Sequence, residues 1–190
     1  AAAAGMLRKA RQPMIGGLAT DVAGLRAALA LADRAGAVVD HALSWAALGN
    51  IDVLQTTGWV MSTLTEVRNR ADLLIVVASG IARFHPRFYE RIAAPADSMF
   101  DTPAAKRTIV FIGEGFDVSD PALARVGEVV TIACANARAG DVIAALKAEL
   151  RGAPLAASAV AGVPVGDIRG LAERCRNAAY GVLAWVPAAL

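Results

Sequence analysis

Residues 58–88 read GWVMSTLTEVRNRADLLIVVASGIARFHPRF, and the fold class follows from them. Thr63, Leu64, Thr65 and Glu66 have capping-box spacing, in which the Thr63 hydroxyl and the Glu66 carboxylate satisfy two amides left unpaired at the start of a helix. Leu73-Leu74-Ile75-Val76-Val77-Ala78 follows without polar alternation, the pattern of a strand covered on both faces. Gly80 breaks the run. Arg83, His85, Arg87 and Arg91 come next and put positive charge at the carboxyl edge of the expected sheet, where ligands and partners of open α/β sheets bind.

Upstream, residues 12–19 (QPMIGGLA) predict a strand after Pro13. A helix follows, capped by Thr20 or Asp21, with Val22, Leu25, Leu29 and Ala32 on its inward face, Arg34 in the last turn and Gly36 in a left-handed closing position. Residues 37–41 predict a second short strand. Segment 42–60 reads as irregular, and Trp45 and Trp59 within it suit anchors at an interface or over the sheet edge.

Downstream, Pro86 predicts the opening of a helix that runs through Phe88 and Tyr89 to about Ala93. Residues 95–106 form a polar connection, 108–113 (TIVFIG) another unalternated strand, 114–125 a loop and 128–134 a further strand. Residues 140–151 predict a helix with Val142, Ile143, Leu146 and Leu150 as its buried stripe, Asp141 near its start and Gly152 at its end. Residues 152–166 are too apolar for a solvated linker and are expected to lie across protein surface. Asp167 is expected to cap a helix with Ile168, Leu171 and Cys175 inward, and residues 180–187 predict the last strand. Helices separating strands in this way predict one α/β domain over residues 1–190: a doubly wound, mainly parallel, Rossmann-like sheet of about six strands with helices on both faces.

A chain of 190 residues buries roughly 70% of its unfolded surface. Lys and Arg total 19 against 17 acidic residues, a net charge of +2, and the basic residues are scattered. Nucleic acid is not an expected partner. The hydrophobic share of 56% and mean hydropathy of +0.49 are high, yet no apolar run reaches the ~20 residues that cross a bilayer. Burial against other subunits accounts better for the excess. The N-terminal alanines lack the charged and hydrophobic regions of a signal peptide, so the expected setting is the cytoplasm.

Cys134 and Cys175 lie far apart with no CxxC pair, and read as buried structural thiols. Gly16, Gly17 and Asp21 between strand and helix, with Asp40 about twenty residues on, invite a nucleotide reading. Neither GxGxxG nor GxxxxGK[ST] is present, and Asp21 opposes phosphate. His41 and His85 are the two histidines, and a hydrolytic metal centre would need both with converging carboxylates. Ser44 and Ser79 lack a nucleophile-elbow context. Arg83, Arg87 and Arg91 are the leading candidates for contact with a ligand or partner, since forked guanidinium donors suit carboxylate or phosphate. Salt bridges to Glu90 or to a neighbouring subunit are their plainer reading, and an ion-pair network around a helix end is the plainer reading of Glu66, Arg68, Arg70 and Asp72. No residue is assigned as catalytic, cofactor-binding or metal-binding.

Residues 16–30 (GGLATDVAGLRAALA), Thr57-Gly58-Trp59, residues 63–72 (TLTEVRNRAD) and His85-Pro86-Arg87-Phe88 resemble the B subunit of formylmethanofuran dehydrogenase, in the molybdopterin oxidoreductase superfamily. The resemblance covers most of the chain. Catalytic members of that family are about twice as long and carry N-terminal cysteines for an iron-sulfur cluster and a Cys or selenocysteine ligand for molybdenum or tungsten. No residue here matches those ligands. The short form is similar to the corresponding subunit of the formyltransferase/hydrolase complex of methylotrophic bacteria. That likeness implies a non-catalytic structural subunit that binds no cofactor itself, partnered by hydrolase, formyltransferase and a further structural subunit, in a complex that converts formyl-tetrahydromethanopterin to formate through a methanofuran-type carrier, with a metal in the hydrolase. Two alternatives stay open at this point: a catalytic molybdopterin-dependent subunit or fragment, and the nucleotide-binding central domain of a thiamine-diphosphate enzyme.

Overall fold

The computed structural model describes residues 2–42, 44–78 and 80–186, the side chains of 45–47 excepted. The chain divides into two units, one ending at Trp59 and the other beginning at Val60.

The first unit comprises α1 (Ala2–Lys9), β1 (Met14–Leu18), α2 (Val22–Ala35), β2 (Val38–His41) and α3 (Ser44–Thr56). Asp21 caps α2, its carboxylate accepting from the Gly24 amide at 2.7 Å, and Gly36 closes it at φ 61°. β1 and β2 run parallel, with Met14 opposite Val38 and Ile15 opposite Val39. Two expectations are corrected here. Residues 42–60 are not irregular, since α3 occupies most of them; Gly49 and Asn50 cost a helix only about 1 kcal/mol or less each. On α2, Ala32 is buried, while Val22, Leu25 and Leu29 remain 68%, 41% and 50% exposed. β1 offers the glycines Gly16 and Gly17 instead of side chains, so the strand gives the stripe little to pack against. Trp45, read as an anchor, has its side chain outside the described residues.

The second unit is built on a sheet. It runs α4 (Leu64–Arg70), β3 (Leu73–Val77), α5 (Ile81–Phe84), a π-helical turn (Tyr89–Ala93), β4 (Thr108–Ile112), β5 (Glu128–Ile132), α6 (Ala139–Leu150), a two-stranded hairpin of β6 (Ala159–Val160) and β7 (Val163–Pro164), α7 (Val165–Asn177) and β8 (Gly181–Ala184). The sheet order is β5-β4-β3-β8, and every pairing is parallel. Counted in chain order within this sheet the strands read 3-2-1-4, the arrangement of a Rossmann-type fold. Alternate residues of β3 feed two separate cores. Leu73, Ile75 and Val77 join Val142 and Leu146 of α6 and Ile168 and Leu171 of α7. Leu74 and Val76 join Val67 of α4, Phe88, Tyr89 and Leu123. Both faces of β3 are therefore buried along its whole length, as the apolar run requires.

The α/β class stands, but the six-stranded sheet does not. Four strands share the central sheet, and β1 and β2 form a sheet of their own. Strand-helix-strand units read alike in sequence whether they share a sheet or not. Three smaller corrections follow. The helix expected from Pro86 begins only at Tyr89, as a π-helical turn, and the 3-10 turn at Ala104–Lys106 lies within the expected polar connection. Residues 152–166 carry the β6–β7 hairpin, whose Val163 is buried. Asp167 lies in the first turn of α7, three residues after the cap position, which Pro164 occupies.

The connection from β3's helices to β4 is held by two buried polar side chains, Asn69 and Arg107. Asn69 Nδ2 donates to Thr65 O at 2.9 Å and Oδ1 accepts from the Met99 amide at 3.0 Å, while its carbonyl accepts from the Ser98 and Thr102 hydroxyls. Arg107 spreads its guanidinium over the carbonyls of Thr102, Ile92, Ala93 and Arg68. Burial and the nearby Arg68 pull its pKa down, and the carbonyl dipoles supply the compensation. Because losing the guanidinium leaves several carbonyls unpaired at roughly 1–3 kcal/mol each, Arg107→Met is expected to destabilise the chain by about 3 kcal/mol or more. Urea unfolding checks this, and a loss under about 1 kcal/mol contradicts it.

Candidate functional site

At the carboxyl edge of the sheet β3 is followed by Ala78, a buried residue at φ 55° whose amide donates to Ile112 O at 2.9 Å. A side chain in this left-handed region is unusual and marks constraint. Beside it Gly113, φ 130°, leaves no room for a Cβ, which would collide with Asn136 Oδ1. Asn136 accepts from the Glu114 amide at 3.1 Å and donates to its carbonyl at 3.3 Å, tying the ends of β4 and β5 together. Ser79 lies outside the described residues.

The basic residues follow directly. Arg83 is exposed on α5. His85 closes α5 at φ -130° and ψ 80°, outside the helical region that the following proline disfavours, its amide donating to Ile81 O at 2.9 Å. Arg87 grips Glu90 through Nε at 2.8 Å and Nη2 at 2.5 Å, and Arg91 Nε stands 3.9 Å from the same carboxylate. The Arg87 hydrogen bond, then its charge, holds the Glu90 carboxyl below its usual range. The plain reading, salt bridges to Glu90, thus holds for Arg87 and Arg91. Leu64, Phe84, His85, Pro86, Arg87, Phe88 and Ile92 line a cleft of about 300 Å³ beside this turn.

The polar residues of TLTEVRNRAD are engaged with the chain's own groups, although only Asn69 among them is buried. Thr63 and Glu66 form the expected capping box: the Glu66 amide donates to Thr63 Oγ1 at 3.2 Å, and the Thr63 amide donates to Glu66 Oε2 at 3.0 Å. That backbone amide is the main cause of Glu66's lowered pKa. In place of the expected network among these charges, Arg68 pairs with Asp97 and Arg70 lies 4.9 Å above the Phe100 ring. Asp72 accepts from the amides of Ala179 at 2.7 Å and Tyr180 at 2.8 Å, and Tyr180 Oη bonds Ser62 Oγ at 2.9 Å. Asp72, Arg107 and Glu128 all sit at the amino ends of parallel strands, the edge opposite to the one where such sheets bind ligands. Sequence reading missed Asn69 and Arg107. Polar residues next to apolar strands carry no period that separates a buried hub from a solvated turn; the one usable signal was Asn69 within an otherwise charged helix face.

Cys134 is buried at the end of β5 and Cys175 half-buried on α7. Burial first, then Glu114, raises the Cys134 pKa, and burial raises that of Cys175. Cys134 is thus buried as expected, and Cys175 only in part. Among the described residues no group of three His, Cys, Asp or Glu side chains is placed to hold a metal ion. Asp40 and His41 end β2, and Asp21 occupies the α2 terminus that a phosphate would need. No helix of the described residues is long and apolar enough to cross a membrane.

The sheet order and the doubly covered strands define a Rossmann-like α/β protein. No protein-family model matches the chain. It is 30% identical over 180 residues to the B subunit of the tungsten-containing formylmethanofuran dehydrogenase 2 of Methanocaldococcus jannaschii, covering 94% of this chain and 40% of that protein. It is also 30% identical over 112 residues to the B subunit of the formyltransferase/hydrolase complex Fhc of Methylorubrum extorquens, covering 59% and 30%. Among solved structures it matches the formyltransferase/hydrolase complex FhcABCD of Methylorubrum extorquens, crystallised with methylofuran, with a TM-score of 0.69, 27% identity, and coverage of 99% of this chain and 48% of that one. The chain is thus homologous to the B subunits of formylmethanofuran dehydrogenase and of the Fhc complex, and spans less than half the length of each.

Glu128 sits at the start of β5 and is gripped by Arg174 of α7 at 2.5 and 2.7 Å, with Thr108 Oγ1 donating at 3.3 Å. The Arg174 hydrogen bond leads in holding its carboxyl below 4.5. Glu66 and Glu90 are lowered in the same direction. A carboxyl depressed in the folded state stabilises above its unfolded pKa and loses that contribution as pH falls through its folded one. Urea midpoints are therefore expected to hold from pH 7 to about 5 and to fall below about 4.5, with Glu128→Gln flattening part of that fall. Parallel profiles for the variant and the parent contradict it.

Proposed function

We propose that this chain is a structural subunit of a formyltransferase/hydrolase complex, without a reaction of its own. The observation that carries the reading is the match over 99% of the chain to a chain of the FhcABCD complex, joined by the likeness to the B subunit of Fhc in sequence. The chain's own chemistry supports it. Polar side chains of its most distinctive run are engaged in capping, clamping and pairing with the chain's own groups, and burial raises the pKa of both thiols. As a subunit of that kind it partners a hydrolase, a formyltransferase and a further structural subunit, in a complex that moves a formyl group from formyl-tetrahydromethanopterin to a methanofuran-type carrier and releases formate, with the metal in the hydrolase. A cytoplasmic setting goes with this reading.

A second reading has an observation behind it. The relatives from Methanocaldococcus jannaschii and from Methanococcus maripaludis, the latter 27% identical over 153 residues, are both named tungsten-containing dehydrogenase subunits, so a part of a catalytic pterin enzyme is the alternative. Affinity purification of the tagged chain from its native host separates the two. Stoichiometric recovery of formyltransferase and hydrolase chains, with tungsten and molybdenum below about a tenth of an equivalent, is the expected result; recovery alone, or with one equivalent of either metal, overturns the proposal.

A further inference from the structure

The cleft beside the HPRF turn is a feature the fold leaves over. Leu64, Phe84, Pro86, Phe88 and Ile92 form its apolar walls, with His85 and Arg87 among the lining residues. Phe84 is 57% and Leu64 47% exposed, although each stands on a helix whose other face is committed to the core through Ile81 and Val67. Apolar rings beside a polar border are the make-up of a docking pocket.

Charge selects the occupant. Residues 81–92 carry three arginines and one glutamate. Glu90 is already shared between Arg87 and Arg91, and Arg125 acts on it as well. Arg83 has no hydrogen bond or ion pair among the described residues. The nearby acids Asp117 and Asp120 act on Tyr89, which does not line the cleft. A second copy docking by a two-fold axis would set this basic segment against itself, which disfavours self-association here.

We propose that the cleft receives an acidic segment of a partner subunit, one apolar side chain of which enters between Leu64 and Phe84 while a flanking carboxylate meets Arg83. The proposal rests on the reading of the chain as a subunit of a complex, and its test keeps the two apart. The complex is purified from the native host through a tag on this chain, as wild type, Phe84→Asp and Arg83→Glu. Phe84→Asp is expected to reduce the yield of one companion subunit by about tenfold or more. Arg83→Glu is expected to reduce the same subunit and to abolish the salt sensitivity of its release. In the wild-type complex, amides of residues 81–85, 87 and 88 are expected to exchange more slowly than in the isolated chain, a measurement that stands even where a variant fails to fold. Unchanged yields and unchanged exchange with all companions present overturn the docking alone. A wild-type chain that brings no companion overturns both proposals, and an isolated chain that dimerises until Phe84→Asp separates it replaces the partner subunit with a second copy.

Discussion

A strand with large apolar side chains on both faces is stable only where both faces are covered, and that constraint organises the second unit. β3 and β4 bury Leu, Ile, Val and Phe to either side. The strands are parallel, so their connections must return to the amino edge each time, and helices packed on the sheet are what those connections become. Each return leaves strand starts and helix ends with polar groups at the border of an apolar core. The chain meets this with Asn69, Asp72 and Arg107, which pair with backbone groups of segments distant in sequence. For the buried Asn69 and Arg107, each satisfied bond contributes about 1 kcal/mol.

The two edges of the sheet differ in kind. The amino edge holds the clamps: Asp72 on the amides before β8, Arg107 before β4, and Glu128 with Arg174 at the start of β5. The carboxyl edge holds constraint and openness: Ala78 at φ 55°, Gly113 against Asn136, and then the basic turn with its cleft. The run TLTEVRNRAD ends at the first edge.

Legibility in the sequence tracked burial. The unalternated runs around Ile75 and Val110 announced strands covered on both sides, the Thr63–Glu66 spacing announced its capping box, and Val142 with Leu146 announced the buried stripe of α6; each of these signals is a local period or spacing. What stayed hidden was non-local. Nothing in β1 and β2 says that they pair with each other apart from the main sheet. The α2 stripe has the correct period yet lies largely uncovered in this chain, because a period records a face and not its partner. Arg107 looks like any basic residue before a strand, and only the converging carbonyls of Ile92, Ala93 and Thr102 reveal it as buried. The Arg83–Arg91 group reads as a cluster, but its division into a pair spent on Glu90 and an Arg83 with no ion pair among the described residues shows only in the folded chain.

Native-state hydrogen exchange on the isolated chain tests most directly the idea that the distinctive polar residues lock the sheet together. If Asp72 is a clamp, the amides of Ala179 and Tyr180 exchange only through global unfolding, at the same slow rate as those of Leu74–Val77 and Ile109–Ile112. Fast exchange at 179 and 180 beside protected strands would contradict it, and would leave Asp72 available for a ligand.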